Sequence, residues 1–290
     1  MTVRDPAQVA HEWRLRSVRP YRNAVETWRT IRARIVKPRP RPVSFSWKGW
    51  LAVYLACVVA GLVLLDPLVG DFVHNWPIWL ALRAITFTDA GKGTWYIVPA
   101  LAFLIVANLT DWRSLSRRWL MAFYSWTSLA FFVLWCTALS GLAANLLKLM
   151  IGRARPTLFD ELGTYHFEPF TLDSLFRGFP SGHATVLGGA AALLMLLFPR
   201  FRWPILIFGA WVASTRIFVS AHYPADVIAG YGFGIGFAIL GAVLMSRMGF
   251  MFTTGASGFP VSKPTFRLFW PLRQAGSYRL RVRQFVARPA

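Results

Sequence analysis

WLMAFYSWTSLAFFVLWCTALSGLAANLL, residues 119–147, holds no charged side chain in 29 consecutive positions. The hydrocarbon core of a bilayer is about 30 Å thick and takes roughly 20 helical residues. A run this long predicts a transmembrane helix that tilts or projects beyond the core. The rest of the chain has the same character: 56% of its 290 residues are hydrophobic, and 14 Trp and 24 Phe suit crowded lipid interfaces.

Working outward, five more apolar runs read as spans. They are 47–65, closed by Asp66 and Pro67; 94–109, preceded by the turn-like Ala90-Gly91-Lys92-Gly93; and then 184–198, 203–217 and 225–245. The expected fold class is an all-α integral membrane protein, a bundle of six transmembrane helices with basic cytoplasmic tails. Residues 1–46 form an Arg-rich N-terminal segment, 47–245 the six-span core and 246–290 a basic C-terminal tail. Within the first segment, 6–19 and 21–36 have helical character and end at the Pro-rich break 38–42. The tail from 252 onward has little apolar periodicity.

The placement of charge orients this layout. Twenty-four of the 32 Lys and Arg fall in 1–46, 110–118, 199–202 and 246–290, which share one side of the membrane if six spans are counted. Basic loops stay cytoplasmic, so both termini are expected inside a plasma (inner) membrane. The tails then face anionic headgroups, which attract basic residues at about 1 kcal/mol each near the surface. The formal charge of +20 does not indicate nucleic acid, because the cations form no patch interleaved with base-stacking aromatics. Cys57 and Cys136 both lie inside apolar runs and predict no structural disulfide. No cleavable leader is expected, since the first apolar run starts only near Trp47.

Three stretches break the apolar pattern, all on the expected outer face: KLMIGRARP (148–156), PSGH (180–183) and RIFVSAHYPAD (216–226). Fixed charge at a membrane boundary is costly unless it binds something or does chemistry. Asp226 stands four residues after His222, a spacing that lets the carboxylate hold one imidazole nitrogen and leave the other as nucleophile or base. Pro180 and Gly182 shape a turn before the fourth span, and a helix N-terminus offers unpaired N–H groups to an anion. Lys148, Arg155 and Arg216 sit at span ends on the same face, where guanidinium forks and an ammonium can grip phosphate oxygens. Taken singly, each has a plainer reading: a helix cap for HYPAD, a self-satisfied loop for PSGH, a snorkelling side chain for each cation. Their joint occurrence favours a phosphate-ester site.

The spacing Lys148-x6-Arg155-Pro156, then Pro180-Ser181-Gly182-His183, then Arg216-x5-His222-x3-Asp226 resembles the three-part signature of the type-2 phosphatidic acid phosphatase (PAP2) superfamily. The resemblance covers about residues 47–245. One departure is Thr215, where the family usually has Ser. By this resemblance, His222 attacks phosphorus to form a phosphohistidine, Asp226 orients it, and His183 protonates the leaving alcohol and then activates water. Lys148, Arg155, Arg216, Ser181 and Gly182 bind the phosphoryl oxygens. No metal and no cofactor is implied.

The implied substrate is a lipid phosphate monoester or pyrophosphate. The GRARP form most resembles the bacterial branch, whose substrates include lipid A, undecaprenyl pyrophosphate and phosphatidylglycerophosphate. The active site would face the periplasm. Three alternatives stay open: a lipid phosphotransferase using the same intermediate, a vanadate-dependent oxidase sharing the anion cradle, and a non-enzymatic lipid-binding or transport protein. Arg153 and Arg177 stand outside the expected core site. Asp160, Glu161, Glu168 and Asp173 read as a solvated lid over it, and Lys92 as part of an ordinary turn.

Overall fold

A computed structural model describes residues 6–37, 46–70, 72 and 75–263, with side chains from residue 17 onward. The chain is mostly helical. In order come α1 (Pro6–Val36), α2 (Trp47–Ala60), α3 (Asp66–Gly70), α4 (Ile78–Thr88), α5 (Thr94–Leu109), α6 (Arg117–Leu134) and α7 (Ser140–Ile151). Then follow α8 (Phe159–Leu162), α9 (Gly182–Leu197), α10 (Arg202–Phe218) and α11 (Pro224–Met248), and a hairpin of β1 (Phe252–Thr254) and β2 (Pro260–Ser262).

Among the described residues, four helical stretches are long and apolar enough to cross a membrane: Trp47–Gly70, Ile78–Leu109 (α4 and α5 with the turn between them), Arg117–Ile151 and Pro224–Met248. The opening stretch 119–147 lies inside the third. The fourth and fifth expected spans are helices as well, but α9 and α10 have 16 and 17 residues. At 1.5 Å per residue they reach only about 24–26 Å, short of a full hydrocarbon core. Buried residues run along α9 from Ala184 to Leu196, so this helix faces protein more than lipid.

Glycine makes that central position possible. A Cβ at Gly188 of α9 would run into the Tyr231 carbonyl of α11, and one at Gly234 of α11 into the Thr185 carbonyl of α9. Gly189 faces the Cys136 carbonyl in the same way. Close backbone approach through small residues replaces the hydrophobic drive that lipid cannot supply. Towards one end of the bundle, Phe132, Cys136, Leu193, Leu196 and Ala238 close around Met251 and Phe252. Towards the other, Ala184, Leu187, Val212, Ala213 and Val227 form a second core under the three motifs.

The structure corrects the sequence reading in three places. The first span does not stop at Asp66 and Pro67. It passes through a π turn at Gly61–Leu65 and continues as α3 to Gly70. Helix α4 occupies what had read only as an outer segment. The two N-terminal helical stretches are one helix, carried through Pro20. After α11 a short antiparallel hairpin pairs Phe252 with Ser262 and Thr254 with Pro260. Helices α9 (Gly182–Leu197) and α10 (Arg202–Phe218) lie within about two residues of the expected 184–198 and 203–217. The Pro-rich break at 38–42 and the tail beyond 263 lie outside the described residues.

Candidate active site

The three motifs meet at one end of the bundle, and local backbone chemistry explains how. Helix α7 ends at Gly152, whose φ of +64 suits glycine and whose N–H caps the Lys148 carbonyl at 2.9 Å. The chain then runs extended and is pinned on both sides. Ala154 N–H donates to His166 O at 3.0 Å, Arg155 N–H to Leu175 O at 2.8 Å, and Gly178 N–H to Arg153 O at 2.9 Å. Residues two apart on an extended segment project to the same side, which turns both Arg153 and Arg155 toward Asp226.

Ser181 is the N-cap of α9, fully buried, with Oγ accepting from Ala184 N–H at 3.4 Å. Its own N–H donates to the Asp226 carbonyl at 2.9 Å, which ties the PSGH turn to the start of α11. A Cβ on Gly182 would sit 3.8–4.0 Å from the end of Lys148, so the turn lies against that ammonium. Gly91 packs on His183, within 3.0 Å of its Cβ and Cδ2 for an added Cβ.

Lys148 is buried and donates to the Arg177 carbonyl at 3.0 Å. It lies within electrostatic reach of Arg155, Arg177, Arg216 and Asp226, while His183 senses Arg216 and Lys148. The side-chain Nε donors of Arg155, Arg177 and Arg216 are buried and have no acceptor among the described residues. Burial holds the Arg155 guanidinium below its usual range, opposed by Asp226. Arg216 donates to Thr88 Oγ1 at 3.2 Å. The Thr215 hydroxyl is spent inside its own helix, on Val212 O at 2.6 Å, so the departure from Ser falls on a group turned away from the cations.

His222 is 2% exposed, with Nδ1 3.5 Å from Asp226 Oδ2. That distance is too long for a strong hydrogen bond, and the carboxylate is closer to other donors. Asp226 Oδ2 accepts from Tyr223 N–H at 3.0 Å, and Oδ1 from Arg153 at 2.7 Å. Burial lowers the His222 pKa to about 4, against the opposing pull of the nearby Asp226 carboxylate, and keeps the imidazole neutral near pH 7.

All eight expected site residues therefore converge. Sequence reasoning missed three more. Arg153 is fully buried, its guanidinium bridging Asp226 Oδ1 at 2.7 Å and Asp66 Oδ2 at 2.8 Å over the Tyr223 ring. Asp66 in turn accepts from Ala225 N–H at 2.8 Å, so the first membrane helix is locked to the start of α11. Arg177 joins the cation cluster. The signal for Asp66 was a lone carboxylate ending a long apolar run, which must find a partner. Asp160, Glu161, Glu168 and Asp173 are exposed, Glu168 pairing with His166 at 3.2 Å and Asp173 capping Leu175 N–H at 2.9 Å. Lys92 pairs with Asp89 at 2.8 Å.

A family model for the PAP2 superfamily matches residues 129–249. A lipid A 1-phosphatase of Rhizobium johnstonii is 36% identical over 224 residues, 76% of this chain and 90% of that protein. A lipid A 1-phosphatase of Rhizobium etli is 35% identical over 234 residues, 80% of this chain and 97% of its own. An undecaprenyl-diphosphatase of Sulfolobus acidocaldarius is 36% identical over 88 residues, 30% of this chain and 41% of that protein. No solved structure matches the chain.

Proposed function

The chain belongs to the PAP2 superfamily, and from that premise we propose that it is a membrane lipid phosphatase acting through a phosphohistidine, without metal. One observation carries the reading. Buried cations with unused donors, from Arg155, Arg177 and Arg216, surround Lys148 beside a neutral His222. Phosphoryl transfer depends mainly on positioning and on charge aimed at the equatorial oxygens, and this cluster supplies both.

With Nδ1 directed at Asp226, Nε2 of His222 attacks phosphorus in line. The P–N bond forms as the P–O bond to the lipid breaks, and the leaving oxygen takes a proton from His183. An arriving phosphate offsets the like charge that Arg216 and Lys148 impose on His183, which favours its protonated form. Water then gives a proton back to His183 and attacks phosphorus, the P–N bond breaks, and inorganic phosphate leaves. Arg153 acts as a positioning residue: with Asp66 it fixes the Asp226 carboxylate from behind.

Among lipid phosphates, a lipid A phosphate is favoured as substrate, because the two lipid A 1-phosphatases match along nearly their whole length. The reading includes six spans, a core of 47–245 between basic segments 1–46 and 246–290, both termini in the cytoplasm and the site at the periplasmic face of the inner membrane. Its support is that the cation cluster and the C-terminal end of α11 lie at opposite ends of a helix about 37 Å long.

The test is phosphate release by detergent-purified protein from lipid A, undecaprenyl pyrophosphate and phosphatidylglycerophosphate, with EDTA present and no acceptor lipid. Release from lipid A is expected. Activity abolished by EDTA contradicts the metal-free mechanism, and phosphate that appears only when an acceptor is supplied makes the protein a transferase.

A further inference from the structure

Helix α1 is amphipathic the wrong way round for a helix packed on a soluble core. Its polar side faces the protein. Asn23, 2% exposed, donates to the Asn108 and Thr110 carbonyls at 2.7 and 3.1 Å, at the end of α5. Glu26 pairs with Arg113 at 2.6 Å. Arg34 donates to Tyr124 Oη and the Gly249 carbonyl, both at 3.0 Å, and lies over the Phe250 ring. Val18, Tyr21, Trp28 and Ile35 are 47–71% exposed. At about 100° per residue they fall in one stripe opposite Asn23 and Arg34.

Arg22, Arg29 and Arg32 are exposed beside or within that stripe. The contacts of α1 place it at the end of α11 away from the catalytic cluster. The helices it contacts there, α5 and α6, carry exposed apolar side chains, among them Ile105, Leu109, Trp119 and Met121. The stripe suits a surface that a bilayer covers: Arg22 and Arg29 flank one edge, and Arg32, within it, is long enough to snorkel to the headgroups.

We propose that α1 is an interfacial helix seated in the anionic leaflet on the side of the membrane opposite the active site, its Val18–Tyr21–Trp28–Ile35 face inserted and Arg22, Arg29 and Arg32 on the headgroups. The polar contacts of Asn23 and Arg34 to Asn108, Thr110, Tyr124 and Gly249 hold the helix at a fixed place on the bundle. The assignment does not depend on which lipid the active site cleaves.

The experiment places a nitroxide at Trp28→Cys, or separately at Tyr21→Cys, with Thr27→Cys off the stripe as reference, in full-length protein with Cys57→Ala. Oxygen and aqueous-relaxant accessibilities are read in nanodiscs of phosphatidylcholine alone and with phosphatidylglycerol added. The labels at 28 and 21 are expected roughly 5–10 Å below the headgroup level in the anionic discs, and Thr27 shallower. Replacing Arg22, Arg29 and Arg32 with Gln should weaken insertion by about fivefold per charge removed. Water-exposed labels at both stripe positions overturn the proposal. So does dipolar broadening between labels, which would make the stripe a contact with a second copy. Insertion that is equal in both lipid mixtures overturns the role given to the arginines.

Discussion

Arg153 and Arg155 are two residues apart on one extended segment, yet they sit in opposite electrostatic worlds. Arg153 is fully buried between two carboxylates, with Asp226 and Asp66 at 2.7 and 2.8 Å. Arg155 is half-buried near Lys148 and Arg216 with only the more distant pull of Asp226 against them; its Nε, like that of Arg153, has no protein acceptor. A cation whose charge is already neutralised holds structure. A cation crowded by others, with donors to spare, is destabilising until an anion arrives. The boundary between scaffold and binding site therefore runs between the two guanidiniums of GRARP.

The sharpest break of this comparison removes the paired cation. Arg153→Met leaves Asp66 and Asp226 buried without it, and is expected to cost about 3–5 kcal/mol of stability in detergent unfolding. Adding Asp66→Leu should recover part of that loss. An Arg153 variant that unfolds like the parent would show that the layer is not structural. Arg155→Ala should do the reverse: kcat falls by about 10²–10³ while the unfolding temperature holds or rises. Next in size is vanadate, a mimic of five-coordinate phosphorus. At a hundred times its dissociation constant it should add about 2.7 kcal/mol to the parent, and far less to Arg155→Ala.

The pH profile is a finer probe. His222 must be neutral to attack, and its pKa lies at about 4 in the folded protein, so the acid limb that its protonation puts on kcat/KM is expected towards about 4. Because the folded value lies below that of the unfolded chain, its stability contribution is present above about 6.5 and is lost as the pH falls towards about 4. An acid limb at about 6.5 would mean His222 is solvated, unlike its position here. The smallest effect is Thr88→Val, which removes one hydrogen bond from Arg216 and should lower kcat/KM by about tenfold or less.

How much of this was legible follows from range. The bounds of 94–109 agree with Thr94–Leu109, because a helix start behind a glycine turn is local information. The meeting of the eight expected residues at one end of the bundle was legible from the joint occurrence of three motifs at span ends, not from any one motif. Asp66 with Arg153 was not: the two are distant in sequence, and a lone Asp at a helix end reads as a stop until its partner is in view. The short lengths of α9 and α10 were legible in their apolar runs, but the burial of α9 was hidden, since glycine-mediated packing makes a helix apolar for protein contact as readily as for lipid. The hairpin after α11 gives no periodic signal because its strands are three residues each.

The most direct test of the account is to catch the intermediate. Turnover of a labelled lipid phosphate is stopped by rapid alkaline quench, which preserves phosphohistidine, and the phosphate is mapped by mass spectrometry. The account predicts label on His222 in the parent protein, and neither label nor turnover in His222→Ala. Turnover that survives in His222→Ala, or a phosphate found on another side chain, would contradict it.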